Sequence, residues 1–312
     1  MNKILKITII VPLMNEEESL PVLYEQLEST LGVLEGYSYE ILFVDDGSSD
    51  ASYKLIEEFG KKDVRVRGLS LSRNFGHQVA LMAGIKHAKG DILITMDGDL
   101  QHPPAIIPKL IAEFEKGFEI VNTIRITTED ASLLKNLTSY LFYKLINRLT
   151  DIHITPAAAD FRLISRKVAN AFLEIEEKER FTRGLISWMG FKQSSVEFNA
   201  PARFAGKSKY NLRKMIRFAR TGITSFSPKP LKISFALGLL FSLLGLIYAL
   251  IAIFQYYNGN TVSGWTSILV SVLVMGGIQL ICIGVLGEYI ATIFTESKKR
   301  PLFFIQDEVN PQ

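Results

Sequence analysis

Apolar positions fall into two patterns along the chain. Through residues 7–123, short β-branched runs alternate with longer stretches whose apolar residues recur three or four positions apart. The runs Ile7–Leu13, Glu40–Val44, Val66–Ser70, Asp91–Met96 and Glu119–Thr123 predict strands, with helices starting near Glu17, Ser49, Gly76 and Pro104. Alternation of this kind predicts an α/β domain with a mostly parallel sheet, whose ligands gather beyond the carboxyl ends of the strands. From Ile233 to Gly287 the pattern changes, and 55 consecutive positions hold no Asp, Glu, Lys or Arg.

That block is interrupted once, by QYYNGNTVSGW at residues 255–265, whose Asn, Gly and Ser favour a turn and whose aromatic residues suit a headgroup interface. It predicts a hairpin of two spans, 233–254 and 266–287, each long enough for the hydrocarbon core. Arg213, Lys214, Arg217, Arg220, Lys229 and Lys232 precede the first span, and Lys298, Lys299 and Arg300 follow the second. The turn carries no basic residue, so both flanks are expected in the cytoplasm of a multi-pass protein of the cell (inner or plasma) membrane. Residues 1–210 then form a cytoplasmic catalytic domain, 211–230 a juxtamembrane helix and linker, 231–294 the two spans and 295–312 a cytoplasmic tail. Leucine, isoleucine and phenylalanine interleave with the bases of 210–224, predicting a helix lying on the membrane surface among its lipids, and 133–149 reads as a second such helix. Gly238, Gly245, Gly276, Gly277 and Gly284 would permit close helix packing within a hairpin or in a homo-oligomer.

Composition adds exclusions. All 35 Lys and Arg and 32 Asp and Glu lie outside the charge-free block, so the rest of the chain has the charge of a water-soluble domain. This rules out both a purely soluble protein and a many-helix transporter. A net charge of +3 gives no argument for a nucleic-acid partner, and the single cysteine, Cys282, excludes an internal disulfide framework. Lys3 and Lys6 before the apolar run 7–14 resemble the start of a signal peptide, but the run is short and meets Asn15 and Glu16 at once, so it is read as the first strand.

Candidate chemistry sits at the strand ends. VDDGSSD at residues 44–50 puts Asp45 and Asp46 in a turn that opens a helix, where carboxylates can accept from a nucleobase or ribose; a plain turn capped by Ser49 or Asp50 is the alternative. MDGDLQHPP at 96–104 follows strand four. Alternate residues of an extended segment share a face, so Asp97, Asp99 and Gln101 can aim oxygen ligands at one hard cation, with diphosphate oxygens filling its other positions. His102 is given a positional or capping role. Arg73, in LSRNFGHQ at 71–78, could meet a phosphate or pair with Asp45 or Asp46. Asp160 could act in a reaction centre or be a buried carboxylate paired with Arg162.

The segments IVPLMNEE (10–17), VDDGSSD (44–50), SRNFG (72–76) and MDGDLQHPP (96–104) resemble, in order and spacing, the signatures of family-2 inverting glycosyltransferases of the dolichyl-phosphate mannose synthase type. The resemblance continues through ADFRL (159–163), ERFTRG (179–184), RFAGKSKY (203–210) and GVLGEYI (284–290), and within the family it is greatest to polyprenyl-phosphate and bactoprenol glucosyltransferases. It implies a GT-A-type, Rossmann-like domain with amphipathic interfacial helices and a C-terminal transmembrane hairpin. It further implies a nucleotide-sugar pocket at Pro12, Asn15, Glu17, Asp45, Asp46, Arg73, Asp97 and Gly98, with Mg²⁺ or Mn²⁺ held by Asp97, Asp99 and Gln101. Asp99, Asp160 and Arg162 would serve catalysis, while Arg125, Arg203, Lys207, Ser208 and Lys209 would receive a lipid phosphate. Gly98 stands where an alanine or valine is common, and RITT at 125–128 lacks a second basic residue.

The activity so implied is transfer of a sugar from a nucleotide donor, UDP-glucose or another UDP-hexose, to polyprenyl (undecaprenyl) phosphate with inversion, for cell-surface glycan modification. A phosphomonoester with a second pKa of about 6 is already an anionic nucleophile, so no strong base is required. Three alternatives stand beside it. A processive polysaccharide synthase needs a channel that two spans cannot form and a Gln-x-x-Arg-Trp motif that this chain lacks; a catalytically silent membrane scaffold or sensor leaves Asp97, Asp99, Gln101 and Asp160 unexplained; the third is a non-processive transferase using another lipid acceptor.

Overall fold

The computed structural model describes residues 4–126, 158–178, 182–199, 201, 227–259 and 264–311. The chain divides into two units, one of residues 1–144, 152–212 and 300–312, the other of residues 145–151 and 213–299.

The first unit is built on β1 (Leu5–Leu13), β2 (Tyr37–Asp45), β3 (Val66–Leu71), β4 (Ile92–Thr95), β5 (Ile120–Arg125), β6 (Ala158–Ser165), β7 (Gln193–Phe198) and β8 (Ile305–Val309). They form one sheet in the order β7-β5-β6-β4-β1-β2-β3-β8. β3, β2, β1 and β4 run parallel, as the strand–helix alternation predicts, and β5 pairs in parallel with β7. β6 is antiparallel to both β4 and β5, and β8 is antiparallel to β3. The helices are α1 (Leu20–Leu31), α2 (Ser52–Lys62), α3 (His77–His87), α4 (Ile107–Glu115, after a 3-10 turn at Pro104–Ile106), α5 (Arg166–Glu174) and α6 (Thr182–Trp188).

β1 reads as a near-continuous apolar run because both its faces are covered: Ile7, Ile9, Ile10 and Val11 are fully buried. α1 lays Leu20, Leu23, Leu27 and Leu31 on the sheet at the spacing of one helix face. Each such side chain contributes roughly 1.5–3 kcal/mol by leaving water. The opposite face of the sheet carries a buried ion pair, Arg67 with Glu40 at 3.6 Å. Glu40 is 3% exposed, accepts from Thr8 Oγ1 at 2.7 Å and Lys89 N at 3.0 Å, and pairs with Lys6 Nζ at 2.5 Å.

The register decides where chemistry can gather. Leu13 lies opposite Asp45, so the ends of β1 and β2 coincide, and Thr95 at the end of β4 lies opposite Arg162. Because β6 runs the other way, its first residues share the edge onto which β1, β2 and β4 discharge their loops.

Residues 305–309, which the sequence reading placed in a tail, instead form β8 against β3. Val309 fits there because its neighbours lack side chains: a Cβ on Gly60 would come within 2.4 Å of Val309 Cγ1. Asn310 closes the junction by donating to Gly60 O at 2.9 Å and Val66 O at 2.8 Å. Upstream, Ser72 N donates to Phe304 O at 3.0 Å.

In the second unit, α7 (Lys229–Tyr257) and α8 (Trp265–Ser297) are long and apolar enough to cross a membrane over 27 and 28 residues. They pair as a hairpin: Tyr289 Oη donates to Ser227 O at 2.6 Å and Cys282 Sγ to Ser234 O at 3.8 Å. Both extend past the expected spans of 233–254 and 266–287: Pro230 falls in the first turn of α7, where proline is tolerated, and Glu288–Ser297 contains neither Gly nor Pro. A Cβ on Gly238, Gly245, Gly276, Gly277 or Gly284 would meet nothing within 4 Å, so these glycines do not draw the two helices together. The expected interfacial helices at 133–149 and 210–224 lie outside the described residues.

Candidate active site

Two loops lock together at the ends of β1 and β2. Asn15 takes φ +56°, a conformation that asparagine tolerates better than most residues, and its Oδ1 accepts from Ser49 N at 2.8 Å while its N donates to Ser48 Oγ at 2.9 Å. Glu17 accepts from Ala51 N at 2.8 Å and gives its own N–H to Asp50 at 3.2 Å. Gly47 is required by position: its φ is +71°, and a Cβ would lie 2.7 Å from the carbonyl carbon of Arg73. The turn thus rests directly on the Arg73–Asn74 backbone.

The adjacent acids Asp45 and Asp46, both buried, do different work. Asp45 accepts from Ser48 N at 3.1 Å and Ser70 Oγ at 3.3 Å. Asp46 accepts the N–H groups of Phe75 at 2.7 Å and Gly76 at 2.9 Å, fixing the loop that leads into α3. Burial lifts the Asp46 pKa above its ordinary value, against the pull of those two N–H groups. Arg73 makes no ion pair with either acid; its guanidinium is exposed and stacks over Phe75, 4.1 Å from the ring centroid. Of the two roles open to Arg73, structural pairing with the acids is therefore the one the geometry does not support.

The acidic triplet leaves β4 with Gly98 packed against Leu13, where an added Cβ would sit 3.2 Å from the Leu13 Cβ. Asp99 Oδ1 accepts from Gln101 N at 3.1 Å, and Leu100 between them takes the unusual φ of +62°. Gln101 Oε1 accepts from Arg125 at 3.5 Å, which places Arg125 beside the triplet. His102 is buried and stacked on Phe161 at 5.3 Å, and its Nδ1 accepts the Asp97 N–H at 2.9 Å. Burial, ahead of the opposing pull of Asp97 and Asp99, holds its pKa below the ordinary histidine value. It positions the Asp97 backbone as a neutral ring.

The described residues contain no ready-made cage of three or more His, Cys, Asp or Glu. They do contain an acidic pair with spare capacity, because Asp97 Oδ1 is buried and takes no hydrogen bond. That donor set, hard oxygens with open positions, fits a divalent cation completed by phosphate oxygens.

Asp160, at the start of β6, lies across from this pair. Its Oδ1 accepts from Arg162 at 3.1 Å and Arg183 Nε at 3.0 Å, and its Oδ2 from Arg183 Nη2 at 3.1 Å. Burial alone would raise its pKa, but Arg183, then Arg162 and His77, outweigh it and hold the carboxylate well below the ordinary range. Burial in turn pushes the Arg162 pKa down to about 10, opposed by Asp160. His77 Nε2 stands between the two halves of the site, 3.4 Å from Asp97 Oδ1 and 3.8 Å from Asp160 Oδ2. Arg183 lies within ERFTRG and His77 within LSRNFGHQ, but the partner of each is fixed only by the fold. Arg203, Lys207, Ser208 and Lys209 lie outside the described residues.

Residues 8–173 match glycosyl transferase family 2. The chain belongs to that family. Residues 229–293 match a second family, the GtrB C-terminal hairpin, which is the segment of α7 and α8. This glycosyltransferase is 41% identical over 305 residues to the bactoprenol glucosyl transferase of Shigella phage SfV, covering 97% of this chain and 99% of that one. It is 40% identical over 307 residues to an uncharacterized glycosyltransferase, YkcC, of Bacillus subtilis (strain 168), covering 98% and 95%. A glucosyl-3-phosphoglycerate synthase from Mycobacterium tuberculosis, solved with Mn²⁺ and UDP, is similar at TM-score 0.46 and 17% identity over 70% of this chain and 78% of that one. The family-2 glycosyltransferase domain and its apolar hairpin mark a membrane-associated enzyme.

Proposed function

We propose that this glycosyltransferase moves a hexosyl group, glucose in the first instance, from a UDP-sugar to polyprenyl phosphate at the cytoplasmic membrane face, with inversion. The observation that carries the reading is the state of Asp160. Clamped by Arg162 and Arg183, it stays ionised and is a poor proton acceptor, so the reaction wants a nucleophile that needs no deprotonation. A lipid phosphate, anionic above a second pKa of about 6, is such a nucleophile. One of its oxygens forms the new bond to the anomeric carbon as the bond from that carbon to the diphosphate oxygen breaks, and the electron pair leaves with UDP. Asp160 with its arginines would orient the reacting groups, and Arg162 and Arg183 would meet phosphate charge. The names of relatives supply the sugar and the lipid.

Asp97 and Asp99, with Gln101 alongside, would hold Mg²⁺ or Mn²⁺, which supplies charge neutralisation at the departing diphosphate. Asn15, Glu17 and Asp45 line the neighbouring loops in which the nucleotide would sit beside Pro12, with Asp46 shaping the Arg73–Gly76 segment. For topology, β8 matters. A strand that follows the hairpin pairs with β3 in the sheet that precedes it, so both flanks of the hairpin belong on one side of the bilayer. The basic flanks favour the cytoplasm as that side.

The test is reconstitution. Detergent-purified protein with undecaprenyl phosphate, Mg²⁺ or Mn²⁺ and a panel of labelled sugar nucleotides should yield an anionic glycolipid, with UDP-glucose the best donor and a β-linkage by NMR. No glycolipid with any donor would overturn the reading, and a retained α-linkage would overturn inversion.

A further inference from the structure

Buried polar atoms without partners are rare in folded proteins, and where they cluster they describe what a ligand must bring. Four side-chain atoms without a hydrogen bond occur among the described residues: Gln78 Oε1 and Arg162 Nε belong to residues that contact Asp160, and Asp97 Oδ1 lies 3.4 Å from the His77 ring that also reaches Asp160. Glu119 Oε2 is the fourth, and Glu119 carries an ion pair to the largely exposed Lys167 at 3.0 Å.

The chemistry of each orphan can be read. Gln78 Nε2 donates to Asp160 Oδ2 at 3.5 Å. An ionised carboxylate only accepts, so this contact fixes which end of the amide is nitrogen and leaves Oε1 as a buried acceptor facing away. Arg162 Nε is a donor in need of an acceptor. Asp97 Oδ1 is an acceptor suited to a cation or a hydroxyl. At the bond being exchanged, the diphosphate and the lipid phosphate bring acceptors, which suit Arg162 but not Gln78. Only the sugar brings O–H donors to that place.

We propose that Gln78 Oε1 accepts a hydrogen bond from a hydroxyl of the transferred sugar, so that the second residue of α3 selects the hexose. The inference rests on reading this site as a sugar-transfer centre, and it gives a role to a residue that LSRNFGHQ contains without one. Gln78 is suited to the task because it is doubly fixed. Its amide is tied to Asp160, and its backbone follows Gly76, whose φ of +102° and whose N–H contact to Asp46 set the start of the helix. A sugar lacking the matching hydroxyl would leave Oε1 buried and unpaired, which costs roughly 10- to 100-fold in affinity or rate.

The experiment uses the full-length protein in detergent, UDP-glucose and its monodeoxy analogues, and two readouts: Kd by calorimetry and kcat/KM for glycolipid formation. In wild type, one analogue should fall behind UDP-glucose by about 10- to 100-fold. Gln78→Leu and Gln78→Met should lose a similar factor with UDP-glucose itself and treat that analogue within about twofold of the parent, as expected when two changes remove one interaction. Thermal unfolding confirms which variants are folded, and Gln78→Met, of nearly equal length, serves if the leucine variant is not. Wild-type discrimination retained in a folded variant overturns the inference and leaves the proposed acceptor standing. Gln78-dependent selection in Kd with no transfer to polyprenyl phosphate supports the inference and overturns the acceptor.

Discussion

Arg183 grips Asp160 by both carboxylate oxygens, through Nε at 3.0 Å and Nη2 at 3.1 Å, from a helix that follows the Asp160 strand by one intervening helix. A two-pronged contact of this kind fixes direction as well as charge. Arg183→Gln should therefore lower kcat/KM by about 10- to 100-fold, and Arg183→Lys should recover only part, since an ammonium restores charge without the fork. The sign of the pH effect follows. Asp160 has a depressed folded pKa, so its stabilising contribution is present above the ordinary aspartate value of about 3.9 and is lost as pH falls through the lower folded value. A kcat/KM profile from pH 5 to 8 should carry no limb from Asp160. A limb near 6 belongs to the acceptor phosphate, and it should remain in Arg183→Lys.

The Asp97 oxygen that accepts no hydrogen bond leads to a binding prediction. Asp97→Asn keeps the shape and removes the charge, so Mn²⁺ affinity in the presence of UDP, followed by electron paramagnetic resonance of the free ion, should weaken at least about tenfold. Chelation of the metal should abolish wild-type transfer and Mn²⁺ should restore it. Undiminished transfer after exhaustive chelation would remove the cation from the site.

Gly47 makes a sharp structural claim. Alanine there meets a φ of +71° and the Arg73 backbone at 2.7 Å, so the turn or the loop must shift. The backbone strain alone costs roughly 1–2 kcal/mol. Gly47→Ala should lower the denaturation midpoint and weaken UDP binding together; unchanged values of both would show that the two loops do not depend on one another.

Far from the site, Glu40 sets a second pH prediction. Burial would raise its pKa, yet Lys6, Thr8 and the Lys89 N–H win and lower it. Its stabilisation is present above the ordinary glutamate value of about 4.3 and fades as pH falls through the folded value. Glu40→Gln should lower the Tm at neutral pH and flatten the decline of Tm below about pH 4.3. Lys6 is 38% exposed, so solvent screening keeps its part of the effect small.

How much of this the sequence disclosed depends on the range of the interaction. β1 to β5 stand out because buried strands are continuous apolar runs, and Asp97 and Asp99 because their spacing is local. β6 was hidden by Asp160 and Arg162, charged residues within a buried strand that become tolerable only when they meet each other and Arg183. β8, with IQDEV, looks like a polar tail because an edge strand is exposed on most of its length. His77 lies 20 and 83 positions from its two carboxylates, and Gln78 lies 82 from Asp160, so no local pattern could pair them. The local pattern also hides that each oxygen of Asp46 accepts a backbone N–H of the next loop.

The place of β8 in the sheet also imposes an order of assembly. Its residues leave the ribosome after both apolar helices, so β3 is an open edge for as long as the hairpin is being synthesised. An unpaired edge is an invitation to other chains. Covering it only after both apolar helices have been made leaves completion of the catalytic sheet to a late stage of synthesis.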